Sequence, residues 1–260
     1  DVGKDRLRVE KRAYVSSSIR NLFIAGCGKG AAPMARAALE ILGERVSDGV
    51  VVVKYGHKLP LEKIEIVEAG HPIPDSAGLN GARRIMGLAR RCGREDLLLF
   101  LLSGGGSALF PCPAAGLSLE DKQQTTDALL KSGATIHEVN AVRKHISQVK
   151  GGRFAQLTAP ARLIALILSD GVDDAPGAVG SGPTAPDNTT YADCLQIIQR
   201  YSLADRVPPV ILDFLQRGAR QEIEETPKHG DRIFEHVQNV IIGNNRAALL
   251  VARRRGGALG

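Results

Sequence analysis

Residues 96–108 read DLLLFLLSGGGSA: six apolar side chains in an unbroken run, then three glycines held between two serines. An apolar run with no alternation has both faces buried, which is the habit of a central strand in a parallel sheet covered by helices on each side. Working outward from it, similar runs bounded by turn residues stand at 21–26, 49–55, 64–69, 162–169 and 237–243. Segments of helical period lie between them, at 31–45, 76–91, 119–131, 138–157, 191–201 and 208–216. Strands that alternate with helices in this way predict an α/β fold with a largely parallel sheet. Ser118, three residues before Asp121, predicts the N-cap of the helix at 119–131.

Composition agrees with that fold and narrows the partners. Hydrophobic residues make up 43% of the 260 and charged residues 24%, the balance of a folded domain and not of a disordered one. Aromatics are only 4%, so the core has to be aliphatic. The formal charge is +6, but the basic residues are spread out and are not interleaved with aromatics, which argues against nucleic acid. No apolar run approaches the roughly 20 residues that span a bilayer, and no secretory leader is visible, so a cytoplasmic protein is expected. Cys27, Cys92, Cys112 and Cys194 are scattered with no C-x-x-C pair, which predicts reduced core thiols with neither a zinc site nor a disulfide frame. A homodimer is compatible with all of this.

The stretch 218–231 is polar, with Glu222, Glu224, Glu225, Pro227, Lys228 and Gly230, and is expected to be a linker after a first domain at 1–217. Residues 232–260 supply one strand and one helix. Such a pair cannot bury its own apolar faces, so it either completes the first sheet or opens a second α/β domain.

Four segments carry candidate chemistry. After the first strand comes Gly26-Cys27-Gly28-Lys29-Gly30-Ala31, a glycine turn into a helix start where backbone amides and the helix dipole favour an anion. Tight strand-to-helix packing explains the glycines equally well. Lys29 opposes the dipole there and suits a structural role less well. Second, Ser103-Gly104-Gly105-Gly106-Ser107 follows the central strand and offers amides and hydroxyls to phosphate oxygens. Third, Asn140, Arg143, Lys144, Ser147 and Lys150 fall at helical spacings and give one cationic face, which is either an anion contact or a solvated surface. Fourth, Asp170 ends the strand at 162–169, where ligands bind in open α/β sheets, and it suits Mg²⁺ or a proton-accepting role; its other reading is a turn cap. Asp75, after His71-Pro72-Ile73-Pro74, reads as the N-cap of the next helix. None of the six histidines stands at metal-ligand spacing.

Taken in order, GCGKGAAPMA, HPIPDSAG, LLSGGGSALFPCP, GATIHEVNAVRKHISQVKGGRFA, LILSD with GSGPTAPDNTT, and NVIIGNNRAA resemble the glycerate 2-kinases, some of which carry the label hydroxypyruvate reductase. The resemblance implies a three-layer α/β/α Rossmann-like domain joined to a second α/β domain of the MOFRL kind, of which 232–260 would be the beginning. It implies ATP and Mg²⁺ as cosubstrate and metal, and D-glycerate as the acceptor. Carried over residue by residue, it makes Lys29 and Asp170 catalytic, with Asp170 on the metal and Asp174 as a second candidate ligand. Gly28, Ser103, Gly104, Gly105, Gly106, Ser107, Asn140, Arg143, Lys144, Lys150, Ser181 and Gly182 map to nucleotide or substrate binding. After LSD the family usually reads V-P-G-D-D or V-V-G-D, so the pair Asp173-Asp174 is shifted relative to Asp170. Hydride transfer to hydroxypyruvate is the rival enzyme reading, disfavoured because no G-x-G-x-x-G follows a strand with an acidic residue beyond it. A phosphosugar-binding module without catalysis is the other rival.

Overall fold

The computed structural model describes residue 3, residues 5–171 and residues 175–257. The chain opens on a hairpin that the sequence reading does not anticipate, β1 (Arg6–Val9) paired antiparallel with β2 (Arg12–Val15). Of its residues only Leu7 is fully buried, so the pattern that marks a core strand is missing.

Then β3 (Leu22–Cys27), α1 (Ala31–Leu42), β4 (Val46–Lys54), β5 (Ile64–Ala69), α2 (Ser76–Arg91) and β6 (Leu97–Ser103) follow. After β6 come four helices: α3 (Gly106–Leu109), α4 (Leu119–Lys131), α5 (Ile136–His145) and α6 (Arg153–Thr158). The chain continues with β7 (Arg162–Leu168), α7 (Tyr191–Arg200), α8 (Pro209–Ala219), β8 (Val237–Gly243) and α9 (Asn245–Gly257). The six long strands form one sheet in the order β5-β4-β3-β6-β7-β8, every neighbouring pair parallel. The predicted α/β fold with a parallel sheet is therefore the fold observed.

All seven residues of β6 are buried, as the unbroken apolar run requires of the strand with helices on both faces. One face packs against α2, α3 and α6, where Phe100, Phe110 and Phe154 stack with centroids 4.7 to 5.8 Å apart. The other face packs against α1 and the hairpin. A third cluster joins α4, α5, α7 and α8 around Tyr191. Asp75 caps α2 by accepting from the Gly78 amide at 2.9 Å, and Ser118 with Asp121 makes a capping box on α4, both as predicted.

The single helix expected at 138–157 does not form. The chain leaves α5 at His145 to pair beside residues 112–114, where the Ala114 amide donates to the Ile146 carbonyl and the Gln148 amide to the Cys112 carbonyl. It re-enters a helix only at Arg153, after Gly151 and Gly152 turn it with φ of +58° and +82°. Ser147 and Lys150 therefore do not continue the face that begins with Asn140. The stretch 218–231 begins inside α8 and is pinned along its length: the Glu224 carbonyl accepts from Arg153, Glu225 from His145, and the Thr226 hydroxyl donates to Asp187. Strand β8 is the edge of the main sheet, beside β7.

Candidate active site

The sheet reverses its strand order between β3 and β6, and the crevice outside the carboxyl ends of these two strands is where an open α/β sheet binds ligands. Both glycine segments land there. Their loops are bonded to each other: the Lys29 amide donates to the Gly104 carbonyl at 2.9 Å and the Gly30 amide to the Ser103 hydroxyl at 2.9 Å. Gly28 lies so close to Ser103 that any Cβ there would overlap it, which gives this glycine a packing role.

Over Gly104 and Gly105 three titratable side chains converge. A Cβ on Gly104 would run into the Asp170 carboxylate, and one on Gly105, where φ is +85°, would come within 2.9 Å of the His71 ring and 3.4 Å of the Lys29 side chain. Lys29 Nζ stands 3.8 Å from Asp170 Oδ2, with the two side chains 44% and 61% exposed. An ion pair this open to water contributes little to stability, so its partners are free to exchange each other for a ligand. The His71 imidazole is held below its usual pKa by burial and by the nearby Lys29 and Lys54 ammonium groups, against a weaker opposite pull from Asp170.

These residues wall a cleft of about 430 Å³ lined by His71, Gly104, Gly105, Ser107, Asn140, Arg143, Asp170 and Gly180, among others. Helix α3 opens at Gly106; the Ala108 and Leu109 amides donate to the Gly105 carbonyl, which leaves those of Gly106 and Ser107 for an incoming anion. On the far wall Ser181 Oγ donates to Asn140 Oδ1 at 3.0 Å and lies 3.1 Å from Ser107 Oγ, which links three separate segments. Arg143 reaches the same cleft from α5, and burial draws its guanidinium pKa below the usual value.

Two residues of the cationic series lie apart from this surface. Lys144 turns away to the buried Asp187, 3.1 Å from its Oδ1. Lys150 is fully buried and donates to the Gly180 carbonyl at 3.0 Å. Gly182 sits behind the wall and accepts from the Gly152 amide at 2.8 Å. Asp174 lies outside the described residues, as does Asp173. His71 is the cleft residue that spacing arguments pass over: the two prolines after it marked a rigid turn, but no partner in sequence marked its ring as chemical. Among the described residues no three His, Cys, Asp or Glu side chains cluster as an all-protein metal cage. One carboxylate at the mouth of a phosphate-sized loop is instead the donor set that Mg²⁺ accepts when phosphate oxygens complete its shell.

Comparison with known proteins agrees with this fold. The family model described as a domain of unknown function, DUF4147, matches residues 2–216. The D-glycerate 2-kinase of Thermotoga maritima is 43% identical over 238 residues, 91% of this chain and 54% of that protein. The glycerate 2-kinase of Pyrococcus horikoshii is 41% identical over all of this chain and 57% of its own length, and a putative hydroxypyruvate reductase of Agrobacterium vitis is 47% identical over 75% of this chain. A crystal structure of a Pyrococcus horikoshii protein superposes with a TM-score of 0.90 at 42% identity, covering 100% of this chain and 58% of that one. The crystal structure of the Thermotoga maritima glycerate kinase gives a TM-score of 0.78 at 44% identity, over 87% and 52% of the two chains. The chain thus spans a little over half the length of these curated kinases. The match over 2–216 and the kinship across the whole cleft-bearing sheet place the chain in the DUF4147 family, among the relatives of the glycerate 2-kinases.

Proposed function

We propose that this cleft serves a glycerate 2-kinase, which transfers the γ-phosphoryl of ATP to the 2-hydroxyl of D-glycerate. The observation that carries the reading is the meeting of Lys29 and Asp170 over Gly104, at the point where the strand order reverses. Phosphoryl transfer asks the protein mainly for positioning and for charge opposite the phosphate oxygens. Lys29 supplies a cation beside a loop whose Gly106 and Ser107 amides carry no partner among the described residues. The Ser103–Ser107 loop and the start of α3 hold phosphate oxygens, and Arg143 with Asn140 and Ser107 orients the acceptor and its carboxylate. Asp170 holds Mg²⁺ or accepts the proton of the acceptor hydroxyl, each of which needs its charge. Mg²⁺ bound there would screen the phosphate oxygens. Four buried, unpaired thiols support a reducing cytoplasmic setting.

A coupled ADP-release assay with D-glycerate, followed by identification of the product as 2- or 3-phosphoglycerate, tests the reading. Release of ADP with 2-phosphoglycerate is expected; no acceptor-dependent ADP would sink it. The hydroxypyruvate reductase reading is favoured by the names of two relatives, and it predicts oxidation of NADH by hydroxypyruvate. The turn after β3 keeps the spacing G-x-G-x-x-A, but β4 ends on Lys54 where a dinucleotide site places an acidic residue for the ribose, and this opposes it. A phosphosugar-binding module would take a sugar phosphate and ignore ATP with Mg²⁺ in titration.

A further inference from the structure

Two lysines lie beneath the cleft with no carboxylate bonded to either among the described residues. Lys122, only 4% exposed, donates to the Arg143 carbonyl at 3.2 Å, and Lys150, 0% exposed, donates to the Gly180 carbonyl at 3.0 Å. An ammonium group buried against a lone carbonyl costs stability, since the amide oxygen does not replace its hydration. Apolar side chains of the same length would fill both places without that cost. The fold therefore retains Lys150 for something other than packing.

What Lys150 grips is the far wall of the cleft. Gly180, Ser181 and Gly182 run in succession through left-handed backbone, with φ of +60°, +63° and +62°. A serine in that conformation is held there by its surroundings. Those surroundings are three consecutive residues: Lys150 Nζ takes the Gly180 carbonyl, the Gly151 amide takes the Ser181 carbonyl at 3.0 Å, and the Gly152 amide takes the Gly182 carbonyl at 2.8 Å. From this clamped turn the Ser181 hydroxyl reaches both Asn140 and Ser107.

We propose that Lys150 is a positioning residue of the reaction: from beneath the cleft it fixes the left-handed turn at 180–182, and through Ser181 it sets Ser107 and Asn140 where the anionic substrate binds. The assignment rests on the kinase reading for its substrate, but the clamp itself can be tested with a simpler anion. The groups that face the ammonium are Cys27 on β3, Arg143 on α5 and Lys122 on α4. Burial lowers the Lys150 amine to about 7, the Cys27 side pulling it up and Arg143 pushing it further down. In the free enzyme the clamp consequently loses its charge as pH rises through neutrality.

The experiment compares K150M, K150R and S181A with the parent, by kinetics on D-glycerate and by calorimetry with inorganic phosphate. K150M is expected to keep or raise the thermal midpoint while raising KM for glycerate, and Kd for phosphate at pH 6, at least ~10-fold, because a buried ion has given way to a methionine that packs but does not clamp. S181A should reproduce the KM effect, and the double variant should add little to either. The parent's kcat/KM should fall as pH rises past about 7, and K150R, whose guanidinium stays charged, should carry the low-pH value further into the alkaline range. A purely structural Lys150 would show the reverse pattern, with stability lost and KM and pH profile unmoved, and that result overturns the proposal. Should K150M not fold, an unshifted pH profile in K150R overturns it alone, as does phosphate binding that is absent from the parent or equal in parent and S181A. Failure of the kinase reading shows separately, as phosphate binding that obeys the clamp without turnover of glycerate.

Discussion

Lys29 and Asp170 hold each other at a distance where water screens them, so the pair adds little to the fold and leaves both for the proposed chemistry. Lys29→Ala is expected to lower kcat at least ~100-fold, the scale of losing one preorganised contact to developing charge, with the thermal midpoint unchanged. Near-normal turnover in that variant would return the lysine to a surface role. Asp170→Asn keeps the size and removes the charge, so turnover should collapse while stability stays at the parent's. Asp173→Asn and Asp174→Asn should each be milder, because Asp170 is fixed by the end of a buried strand; steady-state kinetics on the three variants ranks them directly. The places of Lys29 and Asp170 at strand ends were readable from sequence because each follows an apolar run. His71 was not, since its place over Gly105 is made by packing between segments far apart in the chain.

At the scale of elements the glycine loop is the most exacting part. Gly105→Val forces a branched side chain into left-handed backbone and against His71, so phosphate binding by calorimetry should vanish while the domain stays folded. Retained affinity would make the loop a plain turn. The strands were legible to within about three residues at either end, because six buried runs announce themselves by hydrophobicity alone. The break between α5 and α6 was not, because polar side chains go on at helical spacing through Ser147 and Lys150 as if the helix continued. The consecutive glycines at 151 and 152 marked a turn but not the stop at His145, and their meaning appears when they are seen to bond the turn at 181 and 182. The hairpin β1–β2 escaped because it lies at the rim, with most side chains in solvent and no buried face to impose a pattern.

For the whole molecule, buried ionisable groups set how stability follows pH. Burial alone would raise the Glu225 carboxyl, but hydrogen bonds from His145 and the Thr226 amide outweigh it and hold the group at about 2. Glu138 sits at about 2 through the bonds of its capping box. Both carboxylates stabilise the fold fully above their ordinary range near 4.5, and that contribution fades as pH falls towards 2. Lys150 and Lys122 act at the other end: burial depresses both amines, so from about 7 upward the unfolded chain binds more protons and stability climbs with pH. The climb should end near pH 9, where the unfolded thiols ionise and the buried ones, pushed as high as about 12, do not. Urea midpoints between pH 5 and 9 should therefore rise above neutrality in the parent and rise less in Lys150→Met; equal slopes would discount the burial of that amine. The bonds from Lys29 and Gly30 to Gly104 and Ser103 carry a last consequence, a kinetic one. They tie together loops from two strands some seventy residues apart, so the ordering entropy of both is spent once, during folding, and not at each encounter with ligand. The paired loops then behave as a lock already cut: deuterium should enter the Lys29 and Gly30 amides slowly in the empty protein, and association of phosphate should run at the rate of collision without waiting for a loop to settle.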